Sequence, residues 1–415
     1  MATRSDSRTA AGILAFLPAL CAVTTGIFQW MAVRTQPLDS DAQYFLQLAR
    51  TINPLSAATT SREPLWSALI ALAGVFGGPS KDVVELVGVA GFVLMVTSFQ
   101  MVARRLFGTL WAGVAALCLA VSPWLIYQSA RGLREETSAA LVLLLALVLV
   151  SAQWSYRKAI GVGILVGLSA ILRWDTLLLA LPVLVLATVL RKCSPQWLAI
   201  SVATALVITS PLVVGNWWRY GDPMYFSNIH AVWFRNLEFR DQPGFPASAE
   251  LAKDSYAGPH ISWSYYLFGL HTPEEMAKRT LWGVAAIPYG TTSLTIFRAV
   301  GKPVPPQLAF TSLENFVKVF IPALLVLAGA LGGVLLLLSP DWVFGAILFL
   351  SVAEFAPIAA LFDPRLAITV VPFLLLGMMK TLQMVSSLVR GRSVKTWGSG
   401  PHADSLVTHR SETTF

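Results

Sequence analysis

Ten apolar stretches, each near the length that crosses a lipid bilayer, constrain this chain more than any other feature. A helix needs about 20 predominantly apolar residues to cross the hydrocarbon core. Charged residues make up only 13% of the chain, against about 25% in an ordinary soluble domain. The sequence therefore predicts an all-α polytopic membrane protein, with spans at about 12–33, 83–103, 109–128, 136–154, 159–173, 175–190, 197–215, 316–338, 341–361 and 366–388.

Positive charge sorts the ends of these stretches onto two sides. A further apolar stretch, residues 64–76, is only about a dozen residues long, which suits a helix at the membrane interface better than a span. If 64–76 does not cross, the basic C-terminal segment and three basic pairs, Arg104-Arg105, Arg157-Lys158 and Arg191-Lys192, all face the cytoplasm, whereas a crossing would place all of them outside. Lys and Arg collect on the cytoplasmic side of membrane proteins. We therefore expect a multi-pass cell (inner) membrane protein with both termini in the cytoplasm.

The chain is expected to hold one transmembrane domain, residues 1–388, followed by a polar, disordered cytoplasmic tail, residues 389–415. Two outer loops are long. Residues 34–82 should carry juxtamembrane helices, and residues 216–315 should form partial helices lying on the membrane. The net charge of +8 is explained by cytoplasmic loops, so the predicted partners include membrane lipids and no nucleic acid.

The outer ends of the predicted spans pair arginine with carboxylate, whereas the inner ends carry bare basic pairs. A charged side chain costs about 2.5–3.5 kcal/mol at the bilayer centre. The recurrence of mixed pairs on one face therefore indicates a polar site there, although neutralised helix ends that serve only packing are the alternative. The pairs are Arg62-Glu63, Arg131 with Arg134-Glu135-Glu136, Arg173 with Asp175, and Asp363 with Arg365.

The first outer loop holds the most informative segment, which begins Asp39-Ser40-Asp41. The apolar residues that follow, at positions 44, 45, 48 and 49, form one face of a short amphipathic helix. Asp39 or Asp41 would stand at its N-cap, where a carboxylate accepts hydrogen bonds from free backbone N–H groups. One cap does not account for two acids, so the second acid is a candidate for chemistry.

These residues resemble the first-loop pattern of the GT-C glycosyltransferases. This superfamily includes the polyprenyl-phosphate-sugar-dependent protein O-mannosyltransferases and lipid A aminoarabinose transferases (glycosyltransferase family 39-like). Many relatives carry Asp-Glu where this chain has Asp39-Ser40-Asp41, so which aspartate is catalytic stays open. The segments that carry the likeness are Asp41 to Arg50, Arg62 to Leu65, Arg104 to Gly108, Ser129 to Glu136, Gly163 to Asp175, Asn216 to Pro223 and Phe362 to Arg365.

The resemblance implies a GT-C-like bundle of about ten transmembrane helices that moves a sugar from a polyprenyl-phosphate donor. The acceptor would be a glycan, lipid or protein at the outer (periplasmic or extracytoplasmic) face, and the transfer would be inverting. Asp41, or else Asp39, would be the base. Planar guanidinium groups suit the donor phosphate, and the candidates are Arg365, Arg131, Arg134, Arg62, Arg173 and Arg219.

Four supporting acids, Glu63, Glu135, Glu136 and Asp175, would hold these arginines or bind sugar hydroxyls. No His/Asp cluster has metal-ligand spacing, although a divalent metal stays open by family resemblance. Two other functions remain. One is a transporter or flippase of a polyprenyl-linked or other amphiphilic substrate, which would also need charges inside the membrane. The other is a non-enzymatic scaffold for envelope assembly.

Overall fold

A computed structural model describes residues 4–51, 62–151, 153–190, 194–239, 242, 261–297, 313–361 and 364–389. Within these ranges every regular element is a helix, which confirms the predicted all-α class. The helices are α1 Arg4–Val33, α2 Ser40–Thr51, α3 Leu65–Ala73, α4 Lys81–Phe107, α5 Thr109–Ala120, α6 Pro123–Ser129, α7 Glu135–Val150, α8 Tyr156–Leu172, α9 Thr176–Leu190, α10 Pro195–Tyr220, α11 Tyr225–Glu238, α12 Pro273–Phe297, α13 Leu313–Leu337, α14 Trp342–Phe355 and α15 Val370–Val389. A π-helical turn covers Tyr265–Gly269, and 3-10 turns cover Ala356–Leu361 and Pro364–Ala367.

Five of the described helices are long and apolar enough to cross a membrane by themselves. Helices α5 and α6 form a sixth candidate as a pair bent by 62°. The four other predicted spans form α7, α8, α9 and α14, which have 16, 17, 15 and 14 residues. Polar turns shorten them: Ser155 caps the start of α8, and Arg173 ends it in an extended conformation. By length and composition, the described chain thus has five helices, or six with the bent pair, that could each cross a membrane alone, and four shorter apolar helices at other predicted spans.

Helix α3 is the segment that the sequence assigned to the membrane interface. It has nine residues, which corresponds to a length of about 14 Å. The hydrocarbon core is about 30 Å thick, so α3 cannot cross it alone. The helix begins after Pro64 and ends at Gly74. Its length agrees with the prediction that 64–76 does not span.

The second long loop contributes more to the bundle than the sequence predicted. Helix α12 has 25 residues, and it packs against α13, α14 and the 3-10 turn Ala356–Leu361. It also contacts α6 and α15. The second half of α12 is therefore packed against the bundle, and its first half is largely exposed. Helix α11 and the π-helical turn are the remaining described helical parts of this loop.

Two hydrophobic cores hold these helices together. The larger core runs through the bundle and includes residues from α4, α5, α7, α9, α14 and α15. The smaller core lies under the first loop, where Phe45 of α2 and Trp66 and Ile70 of α3 pack against Leu133 and Leu172. Because the smaller core joins the first loop to the turns before α7 and after α8, it fixes that loop against one end of the bundle.

The two ends of the bundle carry different polar groups. At one end, Arg105 donates to the carbonyl of Val150 at 3.2 Å and Lys158 donates to that of Ser151 at 2.7 Å. We call this the basic end. The opposite end, which holds the first loop and the turns between α6 and α7 and between α8 and α9, is called the polar end. Arg191, Lys192 and the predicted tail from residue 390 onward lie outside the described residues.

Candidate active site at the polar end

Helix α2 places two aspartates at the polar end. The carbonyl of Asp39 accepts from the backbone N–H of Gln43 at 2.8 Å, and its Oδ1 accepts from the N–H of Asp41 at 3.1 Å. Asp39 is therefore the N-cap of α2. The buried face consists of Ala42, Phe45, Leu46 and Ala49. Phe45 and Ala49 agree with the predicted face, while Tyr44 and Leu48 are half-buried beside it because α2 packs along i, i+3, i+4 and i+7.

Both aspartates are paired with arginines from distant parts of the chain. Asp39 Oδ2 forms an ion pair with Arg131, and Asp39 Oδ1 lies 3.6 Å from Nη1 of Arg365. Asp41 Oδ1 accepts from Nη1 of Arg62 at 3.2 Å, and its Oδ2 accepts from Nη1 of Arg365 at 3.3 Å. We call Asp39, Asp41, Arg62, Arg131 and Arg365 the aspartate–arginine cluster. Arg365 bridges the two aspartates from a 3-10 turn near the other end of the sequence.

The cluster combines an excess of positive charge with one accessible carboxylate. Three arginines face two aspartates, which leaves one net positive charge (3 − 2 = 1). The side chain of Asp41 is 34% exposed, twice the 17% of Asp39. Burial alone would raise the pKa of Asp41, but the charges of Arg62 and Arg365 outweigh it and lower that pKa below the ordinary value. Such a site can hold an anion on its arginines beside an ionised carboxylate.

Aromatic and amide groups hold two of these arginines in place. The guanidinium of Arg62 lies 4.8 Å from the ring centre of Tyr44, within cation–π range. The guanidinium of Arg131 lies 5.6 Å from the ring of Tyr127 and donates to Oε1 of Gln128 at 3.1 Å. Tyr127 and Gln128 were missed at the sequence level, because nothing in the order of residues shows that α6 ends beside the first loop.

A buried ion pair lies behind the cluster. Nη1 of Arg134 donates to Oε2 of Glu63 at 2.9 Å and to the carbonyl of Leu172 at 2.6 Å. Oε1 of Glu63 accepts from the backbone N–H of Trp174 at 3.1 Å. Burial would raise the pKa of Glu63, but the charge of Arg134 and these hydrogen bonds lower it to about 2. The pair thus joins the first loop to the turn before α7 and to the turn after α8.

One tight turn sends Arg131 and Arg134 to different partners. Gly132 between them has a φ of +70°, a conformation that residues with a Cβ rarely adopt. A Cβ on Gly132 would also lie 2.4 Å from Cγ1 of Val84. Its carbonyl accepts from Nε1 of the fully buried Trp66 at 3.0 Å. The turn can therefore direct Arg131 toward Asp39 while Arg134 reaches Glu63.

The remaining predicted residues lie around this core of the site. Arg173 pairs with Asp175, and its guanidinium lies 5.9 Å from the ring of Phe355. Glu135 and Glu136 are buried in the first turn of α7. Arg219 is exposed at the end of α10, with its guanidinium 5.5 Å from the ring of Tyr220. Asp363, predicted to accompany Arg365, lies outside the described residues.

Two polar residues join the site although the sequence did not place them there. His230 of α11 interacts electrostatically with Glu63, Arg62 and Arg134, and burial lowers its pKa. Glu354 stands near the end of α14, where it interacts with Arg173 and Asp175. A lone acid within an apolar stretch is a signal for function by itself, and Glu354 could have been found in this way.

The side chains of the site do not form a metal centre in the part of the chain that the structure describes. Among these residues no three His, Cys, Asp or Glu side chains come together as ligands for one ion. Within the aspartate–arginine cluster, arginines already occupy the oxygens of both carboxylates. The chemistry below is therefore written with protein side chains.

Comparison with known proteins places the fold. No protein-family profile and no curated protein matches this sequence. The structure is similar to the crystal structure of the Archaeoglobus fulgidus oligosaccharyltransferase complex with Zn and sulfate, with a TM-score of 0.54 and 15% sequence identity. The match covers 91% of this chain and 50% of that chain, so this chain spans about half of its neighbour's length. The chain is an all-α membrane protein with a GT-C-like fold.

Proposed function

We propose that this protein is a membrane glycosyltransferase that moves a sugar from a polyprenyl-phosphate donor to an acceptor at the outer face of the cell membrane. The observation that carries the proposal is the position of Arg365, whose Nη1 lies 3.3 Å from Asp41 and 3.6 Å from Asp39. It brings a phosphate-binding group to a pair of carboxylates. The fold of a named oligosaccharyltransferase supports the same class of reaction.

Asp41 is the proposed base, and Asp39 is a positioning residue. The reaction forms a bond from the acceptor oxygen to the anomeric carbon and breaks the bond from that carbon to the donor phosphate. The acceptor hydroxyl loses its proton, which a carboxylate can accept. Asp41 is the more exposed of the two. Asp39 instead caps α2 and holds Arg131.

The arginines of the cluster are proposed to bind the phosphate, which gains negative charge as it leaves. Guanidinium groups stay charged and bind phosphate oxygens in pairs. Arg365 and Arg62 also hold Asp41, so a phosphate bound to them would compete for their charge. Donor binding would then raise the pKa of Asp41 and make it a stronger base. Binding of the first substrate would thus prepare the base for the second.

The outer arginines have different proposed roles. Nη1 of Arg134 is engaged by Glu63 and Leu172, so Arg134 is a positioning residue behind the cluster. Glu63 holds it, and Asp175 holds Arg173. Arg219, exposed at the end of α10, is proposed to meet the donor phosphate at the membrane surface. A single displacement at the anomeric carbon would invert its configuration, and the acceptor would be a glycan, a lipid or a protein.

A transfer assay tests the proposal. Purified full-length protein would be mixed with a polyprenyl-phosphate sugar and a panel of acceptors, beside the variants Asp41→Asn, Asp39→Asn and both together. Loss of the base should lower the transfer rate by on the order of 10²–10⁴-fold in Asp41→Asn, with a smaller loss in Asp39→Asn. Asp82→Asn is the matched control, since Asp82 is an aspartate of the same end whose partner is Arg34.

Two outcomes would contradict the proposal. Full transfer by the double variant would remove the aspartates from the mechanism. If the same protein in lipid vesicles moved a fluorescent polyprenyl phosphate across the bilayer and transferred no sugar, the transporter or flippase hypothesis would replace the proposed glycosyltransferase activity.

A further inference from the structure

Unpartnered polar atoms are concentrated in one place beside the aspartate–arginine cluster. Sixteen buried side-chain nitrogen or oxygen atoms in the described chain lack a hydrogen-bond partner within it. Eight of these belong to the first turn of α7, the last turn of α8 with Arg173, and Glu354 of α14. Buried polar groups in folded proteins nearly always have a partner. This concentration therefore indicates a place where a polar ligand completes the hydrogen bonds.

Arg173 lies at the centre of this group. Its residue is 3% exposed, and its Nε and Nη2 donate to Asp175 while Nη1 has no partner. The guanidinium lies near Phe355, the neighbour of Glu354 in α14, and it interacts electrostatically with Glu135 and Glu354. Oε2 of Glu135 and Oε1 of Glu354 are likewise without a partner. One buried donor and two buried acceptors, supplied by three different parts of the chain, thus lack partners within electrostatic range of one another.

The group connects to the aspartate–arginine cluster and to solvent. The backbone N–H of Trp174, between Arg173 and Asp175, donates to Glu63. Glu63 in turn directly follows Arg62 of the cluster. The side chain of Asp175 is 35% exposed, and Glu354 is half-buried. The group is therefore linked to the cluster through Glu63 and has partly exposed carboxylates at its edge.

The mixture of donor and acceptors points to hydroxyl groups as the ligand. A hydroxyl donates one hydrogen bond and accepts others, so it can bind a carboxylate and a guanidinium together. A cation would be repelled by Arg173, and no three potential metal ligands converge among the described residues. A site for a proton alone would need no buried donor beside its acids. We propose that Arg173, Glu135 and Glu354 form a subsite that binds neighbouring hydroxyl groups of a sugar ring.

This inference rests on the proposed function, and the experiment separates the two. The purified full-length protein would be titrated with farnesyl phosphate, which carries no sugar, and with farnesyl phosphate esters of a panel of pentoses and hexoses. Farnesyl phosphate reports on the arginines of the cluster. The gain in affinity on adding the sugar reports on the subsite. Methyl glycosides of the same sugars, which carry no phosphate, test whether the hydroxyls come from the acceptor instead.

Hydrogen bonds to charged groups predict a gain of about tenfold or more for at least one sugar ester over farnesyl phosphate. Glu354→Gln should remove most of that gain and leave the affinity for farnesyl phosphate within about twofold. Glu85→Gln is the matched control, because Glu85 is also a buried glutamate with one unpartnered oxygen but pairs with Lys81. It should keep the full gain.

The outcomes are distinct. If no farnesyl phosphate binds, the proposed function fails. If it binds, but neither the sugar esters nor the methyl glycosides show binding that depends on Glu354, the subsite is overturned while the phosphate site stands. Binding of methyl glycosides that depends on Glu354, without a gain for the esters, supports the subsite and assigns it to the acceptor sugar. A melting temperature of Glu354→Gln near that of wild type excludes misfolding as the cause.

Discussion

Asp39 and Asp41 stand two positions apart, and their surroundings separate their roles. Asp39 is an N-cap whose oxygens are also taken up by Arg131 and Arg365. Asp41 is more exposed and keeps its charge through Arg62 and Arg365. Each carboxylate alone could have been a cap or a base. The difference between the two aspartates lies in the contacts that each side chain makes in the folded protein.

The arginines around Asp41 predict a specific pH dependence. Arg62 and Arg365 outweigh burial and lower the pKa of Asp41 below its ordinary value of 3.8. Activity that needs ionised Asp41 should therefore fall only at more acidic pH than this. Arg62→Gln removes one positive charge, so the acid limb of the kcat/KM profile should move to higher pH.

Arg34→Gln is the control for that profile, because Arg34 pairs with Asp82 instead. Its acid limb should coincide with that of wild type. An acid limb that stays in place in Arg62→Gln would show that another group limits the rate at low pH.

The buried pair of Glu63 and Arg134 predicts a large effect on stability. Glu63→Gln leaves the guanidinium of Arg134 buried without its counter-charge, which should cost about 3–5 kcal/mol of unfolding free energy. Denaturation in detergent micelles measures the loss. Glu274→Gln, which breaks an exposed pair with Lys278, should have little effect. Equal losses in both variants would contradict the buried-pair argument.

The same pair predicts a loss of stability in acid. The folded-state pKa of Glu63, about 2, lies below the ordinary value of 4.5. Its contribution is therefore complete above pH 4.5 and disappears as the pH falls toward 2. Wild-type stability should decline across this window more steeply than that of Glu63→Gln. Parallel curves in detergent would show that another group is responsible.

At the scale of elements, the turn between α6 and α7 connects the aspartate–arginine cluster to the buried pair of Glu63 and Arg134. Gly132 combines a positive φ with a close approach to Val84 and a hydrogen bond from Trp66. Its neighbours in sequence direct one arginine to the cluster and the other to Glu63. Distortion of this turn should therefore disturb both ion pairs at once.

Gly132→Ala tests the role of the turn. Strain at a positive φ and the contact with Val84 should lower the unfolding free energy by at least about 1 kcal/mol and reduce transfer activity as well. Gly161→Ala is the matched control, since Gly161 lies in α8 with open space at its Cβ position. It should be neutral or stabilising by up to about 1 kcal/mol. Unchanged transfer activity in Gly132→Ala would show that the geometry of this turn does not affect the active site.

At the scale of the whole molecule, two chemically different ends give the protein a direction in the membrane. The turns with arginine and carboxylate gather at the polar end, and Arg105 and Lys158 lie at the basic end. Alternation of the helices between these ends agrees with a short α3 that does not cross. The positive-inside rule then predicts that the basic end faces the cytoplasm.

Reporter fusions test this orientation. A reporter fused after residue 80 should read as outside, and reporters after residues 106 and 395 should read as cytoplasmic. These three positions follow α3, the first basic pair and the last predicted span. A cytoplasmic signal at residue 80 would mean that the segment 64–76 crosses, and the proposed outer position of the active site would be wrong.

Much of this architecture could be predicted from the order of residues because the relevant signals are local. Apolar length predicts helices in lipid, and the run from Asp39 to Arg50 predicts a short amphipathic helix, which α2 is. The ends of the shorter helices were harder to predict, since those of α7, α8 and α9 depend on turns that contact other helices. The sequence predicted partial helices in residues 216–315, but the packing of α12 against the bundle depends on neighbours that are distant in the chain.

The sequence by itself determined that this chain needs a membrane, roughly where α2 and α3 lie, and which residues supply charge at the polar end. Only the tertiary structure decided that Arg365 bridges Asp39 and Asp41, that Arg134 pairs with Glu63, and that Glu354 lies within electrostatic range of Arg173. The physical reason is distance along the chain. Periodicity and hydropathy act between neighbours, whereas the contact of Arg365 with Asp41 joins positions 324 residues apart and exists only when the bundle closes.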